Sequence, residues 1–118
     1  MTYCFVYGTL KKNYGNHHYL RGQKFVQEAE TQPNYRLWDC GRYPCMVEDK
    51  NGNSIKGEIW EVDDACLRSM DRLEGVPWLY QRATLQMRDF DQPVIGYLFQ
   101  RSVEDYIDCG RSWPRNKE

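Results

Sequence analysis

Only one stretch of this sequence carries helical periodicity. DDACLRSMDRLEG opens on two aspartates, repeats apolar residues at Cys66, Met70 and Leu73, and halts at Gly75 with Pro77 just beyond. Acidic side chains suit the positive end of a helix, and glycine followed by proline suits its end. A helix over Asp63–Glu74 is predicted. A chain with one helix must bury most of its remaining apolar residues in sheet, and the other segments read that way.

Thr2–Tyr7 is β-branched and aromatic and stops at Gly8. Asn34–Cys40 and the short run Cys45–Asp49 flank a Gly41–Pro44 turn. Asn51-Gly52-Asn53 separates that run from Ile55–Val62, and Asn-Gly between two apolar-bearing runs is the strongest hairpin signal in the chain. Gln81–Arg88 and Val94–Gln100 alternate and are joined by a polar DFDQP turn. Gln23–Gln32 is polar and fits no period. Ser102–Ile107 is read as a helical turn capped by Ser102. The predicted fold is α+β: a small mixed or antiparallel β-barrel of about five to six strands flanked by one main α-helix. No linker or internal repeat interrupts it, so residues 1–118 read as a single domain, loose over about 114–118 except where Trp113 anchors it.

Composition removes several classes of function. The 118 residues carry 16 basic and 17 acidic side chains, a net charge of −1, which offers no electrostatic basis for binding nucleic acid or an anionic membrane. No apolar run approaches the ~20 residues of a membrane span, and the N-terminus lacks the pattern of a secretory signal. Five cysteines, an odd number with no C-x-x-C pair, argue against a disulfide framework and a zinc knuckle. Cys4 and Cys66 lie in apolar surroundings and read as buried small hydrophobes. A cytoplasmic protein with reduced thiols is expected.

Two places can carry chemistry. The first is Glu74. It follows Leu67, Met70 and Asp71 on one helical face and is the last residue before Gly75, where the helix presents partial negative charge. Burial at that edge would raise its pKa and fit it for proton transfer near neutrality. An exposed charge at a helix end is the plainer alternative. The second is the segment FVYGTLKKNYGNHHYL, residues 5–20. It lacks the spacing of a phosphate-binding loop. Adjacent His17 and His18 diverge and have no partners at metal-ligand spacing, so no metal is expected. Gly8-Thr9-Leu10 at the end of a strand is either a tight turn or a row of backbone N–H groups facing an anion.

Three blocks resemble a known family. Tyr7-Gly8-Thr9-Leu10 after an N-terminal strand is similar to the signature of the gamma-glutamylcyclotransferase-like superfamily. Gly57–Arg82 resembles its strand–helix–loop segment, with D-x-x-E-G at Asp71–Gly75 and Y-x-R at Tyr80–Arg82. Gly41-Arg42-Tyr43-Pro44 is similar to its tyrosine–proline turn, and Cys109–Trp113 to the ending of short bacterial-type members. Within the superfamily, YGTLKKNYGNHHYL looks most like the gamma-glutamylaminecyclotransferase branch.

The resemblance implies a cofactor-independent, metal-free enzyme whose partner is a small γ-glutamyl molecule. The α-amine of the substrate attacks its own γ-carbonyl, releasing 5-oxoproline and an amine. Glu74 is the implied acid–base catalyst; Tyr7, Gly8, Thr9, Leu10, Tyr43, Pro44 and Tyr80 are the implied substrate-binding residues. Arg82 is expected to pair with Asp71 as scaffold. Asn13 and His17 either touch the outer half of the substrate or lie on a solvated loop. Alternatives are a cyclotransferase on γ-glutamyl amino acids or another γ-glutamyl compound, and a binding module without turnover. A monomer or weak dimer is expected.

Overall fold

The computed structural model describes residues 1–115, with two sheets and one α-helix. In chain order the elements are β1 (Thr2–Val6), a 3₁₀ turn (His17–Leu20), β2 (Lys24–Glu30), β3 (Tyr35–Asp39), β4 (Pro44–Glu48), β5 (Lys56–Val62), α1 (Asp64–Leu73), β6 (Tyr80–Leu85), β7 (Val94–Phe99) and β8 (Ile107–Asp108). The larger sheet has the order β2-β5-β1-β7-β6, and the smaller one β4-β3-β8. β1 lies at the centre of the larger sheet, antiparallel to β5 and parallel to β7.

A central strand covered on both faces is apolar at every position rather than at alternate ones. β1 obeys this: Cys4, Phe5 and Val6 are all buried, as is Tyr7 just beyond. Cys4 and Val6 pack with Cys66, Leu67 and Met70 of α1. Phe5 and Tyr7 point the other way, into a cluster with Leu37 and Met46 of the smaller sheet. The larger sheet is thus held between a helix and a second sheet, and the end of β1 emerges where all three layers meet.

The expectation of a closed barrel is corrected. The edge strands β2 and β6 do approach just past their ends: Thr31 and Met87 form a bridge, and the N–H groups of Gln32 and Arg88 donate to the carbonyls of Gln86 and Glu30 at 2.8 and 2.9 Å. The ladder goes no further, and no closed barrel is formed by the described residues. The smaller sheet instead covers one face of the curled larger one, so closure is not needed to bury it.

Three other expectations change. The polar stretch before residue 32 is the seven-residue strand β2, whose alternation is broken by a register shift between Phe25 and Gln27. Asn51-Gly52 does make a turn, with the Gly52 N–H on the Asp49 carbonyl at 2.9 Å, but not a hairpin. β4 pairs with β3, whereas β5 pairs with β1 and β2, so the turn passes the chain from one sheet to the other. Gly52 closes against the backbone of Tyr35, where a Cβ would meet the carbonyl oxygen at 2.1 Å. The stretch after Ser102 is a turn rather than a helix. The Ser102 hydroxyl accepts from the Glu104 N–H at 3.3 Å, and the chain then enters β8. Trp113 is buried as expected, and Arg115, placed in the loose tail, pairs with Asp39 at 3.2 Å. Residues 116–118 lie outside the described part.

Candidate active site

The position of Glu74 follows from how α1 ends. Asp63 caps the start of the helix, its carboxylate accepting from the Cys66 N–H at 2.8 Å. Cys66, Leu67 and Met70 bury the core-facing stripe. At the other end the Gly75 N–H donates to the Arg72 carbonyl at 3.2 Å and the Val76 N–H to the Asp71 carbonyl at 3.1 Å. These two bonds form a Schellman motif, which requires the left-handed conformation Gly75 adopts at φ +64°. Glu74 is therefore the C-cap, held at the rim by a turn that only a glycine accommodates cheaply.

The flanking residues of D-x-x-E-G and Y-x-R brace that rim. The Asp71 carboxylate pairs with Arg82 of β6 at 3.0 Å and accepts from the Tyr97 hydroxyl of β7 at 2.7 Å. The Tyr80 hydroxyl donates to the Pro44 carbonyl at 2.6 Å, tying β6 to the smaller sheet. The Tyr43 ring meets the Tyr80 ring edge-on, with centroids 6.4 Å apart.

Together these residues line a narrow cleft at the end of β1. All eight sequence-predicted site residues line it: Tyr7, Gly8, Thr9, Leu10, Tyr43, Pro44, Glu74 and Tyr80. Phe5, Val6 and Tyr97 also contribute and were not anticipated. Tyr97 becomes visible only once the register of β7 against β6 is known, because it stands opposite Arg82. Asn13 and His17 do not line this cleft; the His17 ring nitrogen lies 3.0 Å from the Leu10 carbonyl and steadies the loop.

Gly8 has a tighter reason to be glycine than freedom to turn. A Cβ there would meet the Pro44 ring at 2.6 and 2.7 Å. The chain then folds back, the Lys11 N–H on the Gly8 carbonyl at 3.1 Å and the Asn16 N–H on the Thr9 carbonyl at 2.9 Å. Among the described residues the N–H groups of Gly8, Thr9 and Leu10 find no acceptor, and all three residues line the cleft. Unpaired donors in a row make an anion-binding concavity. The hydroxyls are more committed. Tyr7 donates to the Tyr97 carbonyl at 2.6 Å, and Thr9 accepts from Asn16 at 2.9 Å, which leaves the Thr9 proton available.

The Glu74 carboxyl makes no hydrogen bond or ion pair among the described residues, and burial pushes its pKa up from 4.5 to about 7. The partial negative charge at the end of α1 acts in the same direction. Its charge also helps hold the Tyr7, Tyr80 and Tyr97 phenols protonated, behind the desolvation that dominates each. No grouping of three or more His, Cys, Asp or Glu side chains able to hold a metal is found among the described residues. No described helix is long and apolar enough to cross a membrane.

An unpaired carboxyl with its pKa raised to about 7 shares one cleft with Gly8, Thr9 and Leu10, an arrangement suited to general acid–base chemistry. The profile of the family Gamma-glutamyl cyclotransferase, AIG2-like, matches residues 4–115. A Vibrio cholerae protein provisionally named a gamma-glutamylcyclotransferase is 43% identical over 108 residues, which cover 90% of each chain. The Gamma-glutamylaminecyclotransferase of Rattus norvegicus is 36% identical over 96 residues, 75% of this chain and 64% of the rat protein. In three dimensions an AIG2-like protein from Mus musculus superposes with a TM-score of 0.79 at 25% identity, covering 96% of this chain and 88% of that one. The chain belongs to the AIG2-like gamma-glutamyl cyclotransferase family and is an enzyme of that type.

Proposed function

We propose that this enzyme cleaves a γ-glutamylamine, with Glu74 as its acid–base catalyst and the Gly8–Leu10 amides as its anion cradle. The observation that carries the reading is the Glu74 carboxyl, unpaired and with its pKa raised to about 7, on the cleft wall shared with those amides. The amine-releasing branch is supported by the 36% identity to the rat Gamma-glutamylaminecyclotransferase.

The chemistry then runs as a series of proton transfers through one group. Ionised Glu74 takes a proton from the substrate α-ammonium. The freed amine attacks the γ-carbonyl carbon, a C–N bond forms, and the carbonyl electron pair moves onto oxygen. Preorganised N–H donors stabilise such an oxyanion, and the substrate α-carboxylate is a second anion for the same row. The carbonyl then re-forms as the bond to the leaving amine breaks, and Glu74 returns its proton to that nitrogen. Glu74 next takes the remaining extra proton of the attacking nitrogen, leaving a neutral lactam, and passes it to the released amine, which departs as its ammonium. Attack within one molecule spares the entropy of bringing two reactants together, so the main task of the cleft is to hold the folded-back conformer. A carboxyl near neutrality can both accept and donate within one turnover. The scheme is set in the cytoplasm, in keeping with five unpaired thiols.

The test is 5-oxoproline release from γ-glutamyl-ε-lysine and from γ-glutamyl-alanine by wild type and Glu74→Gln. Loss of at least about 10²-fold in the variant is the expected outcome for an acid–base residue. Turnover by Glu74→Gln at the wild-type rate would remove Glu74 from the mechanism.

A further inference from the structure

Glu74 faces two cavities, not one. A second, roomier cleft adjoins the first and shares Thr9, Tyr43, Glu74 and Tyr80 with it; Asn16, Arg42, Leu73 and Leu79 complete it. A bond broken beside Glu74 has one fragment on each side of the carboxyl. The smaller cleft, walled by the free amides, suits the γ-glutamyl half that becomes 5-oxoproline. The larger cleft is left for the departing amine.

The lining of that larger cleft is selective. Its one cationic residue is Arg42, exposed on the turn between β3 and β4. Among the described residues the Arg42 guanidinium has no ion pair and no hydrogen bond, as is also true of Arg21, Arg68, Arg88 and Arg101, but of these only Arg42 lines this cleft. The turn that carries it is held firmly. The Gly41 N–H donates to Asp39 at 2.7 Å, the Cys40 thiol to the Tyr43 carbonyl at 2.9 Å, and Gly41 sits at φ +102°. Arg42 is exposed whereas Glu74 is half-buried, so the cation stands on the solvent side of the cleft they share.

We propose that the second cleft is the leaving-group subsite and that Arg42 selects amines bearing a carboxylate. Leu73 and Leu79 offer apolar surface to the carbon chain between the amine and that carboxylate. The planar fork of an arginine matches a carboxylate with two parallel hydrogen bonds, a geometry lysine does not reproduce. The inference rests on the cyclotransferase reading given above and names the chemistry of its released product.

The test compares matched substrates that differ only at the distal carboxylate: γ-glutamyl-alanine against γ-glutamyl-alaninamide, and γ-glutamyl-ε-lysine against γ-glutamyl-ε-lysinamide. Wild type, Arg42→Gln and Arg42→Lys are assayed for 5-oxoproline release. Wild type is expected to favour the acid over the amide by about tenfold in kcat/KM in at least one pair, mostly through KM. In Arg42→Gln that ratio falls toward one, and Arg42→Lys restores part of it. The pair that discriminates gives the distance from scissile bond to carboxylate. Release from acid and amide at equal rates, or a preference that survives Arg42→Gln, overturns the assignment of Arg42 while the cyclotransferase reading stands. No release from any of the four by wild type overturns that reading and this inference with it.

Discussion

The hydroxyl of Tyr97 donates to the carboxylate of Asp71 at 2.7 Å, joining a central strand to the last turn of the helix that ends in Glu74. A neutral donor on a charged, partly buried acceptor is worth about 1.5–3 kcal/mol. The ion pair on the other side of Asp71 is worth less, because Arg82 is 44% exposed. Tyr97→Phe is therefore expected to destabilise by about 1.5–3 kcal/mol and Arg82→Gln by under about 1 kcal/mol, read from urea denaturation. Because Asp71 also holds the rim that displays Glu74, Tyr97→Phe should lower kcat more than it raises KM. An unchanged kcat would confine this bond to stability.

The raised pKa of Glu74 gives a pH signature with a fixed sign. In the folded protein the group holds its proton up to about 7, while in the unfolded chain it releases it near 4.5. Between those values the native state binds more protons, so stability falls as pH rises, and the fall is complete above 7. The loss is at most about 3–4 kcal/mol. Glu74→Gln removes it: the variant should melt close to wild type at pH 4 and above it at pH 8, by thermal denaturation followed by circular dichroism. In activity, kcat/KM should rise through an apparent pKa near 7 as Glu74 ionises, a limb absent from any residual turnover by the variant.

Glu74 and its brace were legible because helix ends are local. Acidic cap, apolar stripe and Gly75 lie within thirteen residues, and the structure adds only the Schellman bonds. The pairing of Asp71 with Arg82 was legible for a related reason, since both lie near the same helix–strand junction. Tyr97 and Arg42 were not, because each reaches the site through pairings that only tertiary structure sets: β7 against β6, and β3 against β4. β2 escaped notice because a register shift breaks its alternation. The Asn51-Gly52 turn misled for the opposite reason. Its local chemistry was right, but strand partners are chosen by which apolar faces must be covered, and β4 and β5 belong to different sheets.

Gly8 and Pro44 are in contact so close that no side chain fits between them. Gly8→Ala places a methyl 2.6 Å from the proline ring, and relieving it must move either the amide row or the β4 end. Overpacking of this kind costs about 1–3 kcal/mol. Pro44→Ala opens the space. The pair is therefore expected to be non-additive, the double variant being more stable than the sum of the single effects by about 1 kcal/mol or more. Additive behaviour in urea denaturation would show that the loop moves freely away from Pro44.

Tyr80 separates the two roles that a site aromatic can have. Its hydroxyl donates to the Pro44 carbonyl at 2.6 Å in a region with 4% of the tyrosine exposed. Tyr80→Phe keeps the ring that lines both clefts and deletes that bond together with the weaker one to the Cys45 sulfur at 3.9 Å, leaving a buried carbonyl without its donor. Such a loss costs about 1–3 kcal/mol. If Tyr80 acts by fixing the Tyr43–Pro44 wall, the variant should be less stable by that amount. Its KM should rise and its pH profile should be unchanged, because Glu74 keeps its surroundings. If the hydroxyl instead took part in proton transfer, kcat would fall with KM unmoved and the limb near 7 would shift. The Tyr80 phenol is held far above its ordinary pKa, first by burial and then by the charges of its neighbours, Glu74 among them. A phenol so reluctant to ionise and already donating to a carbonyl is a poor proton carrier, which favours the first outcome.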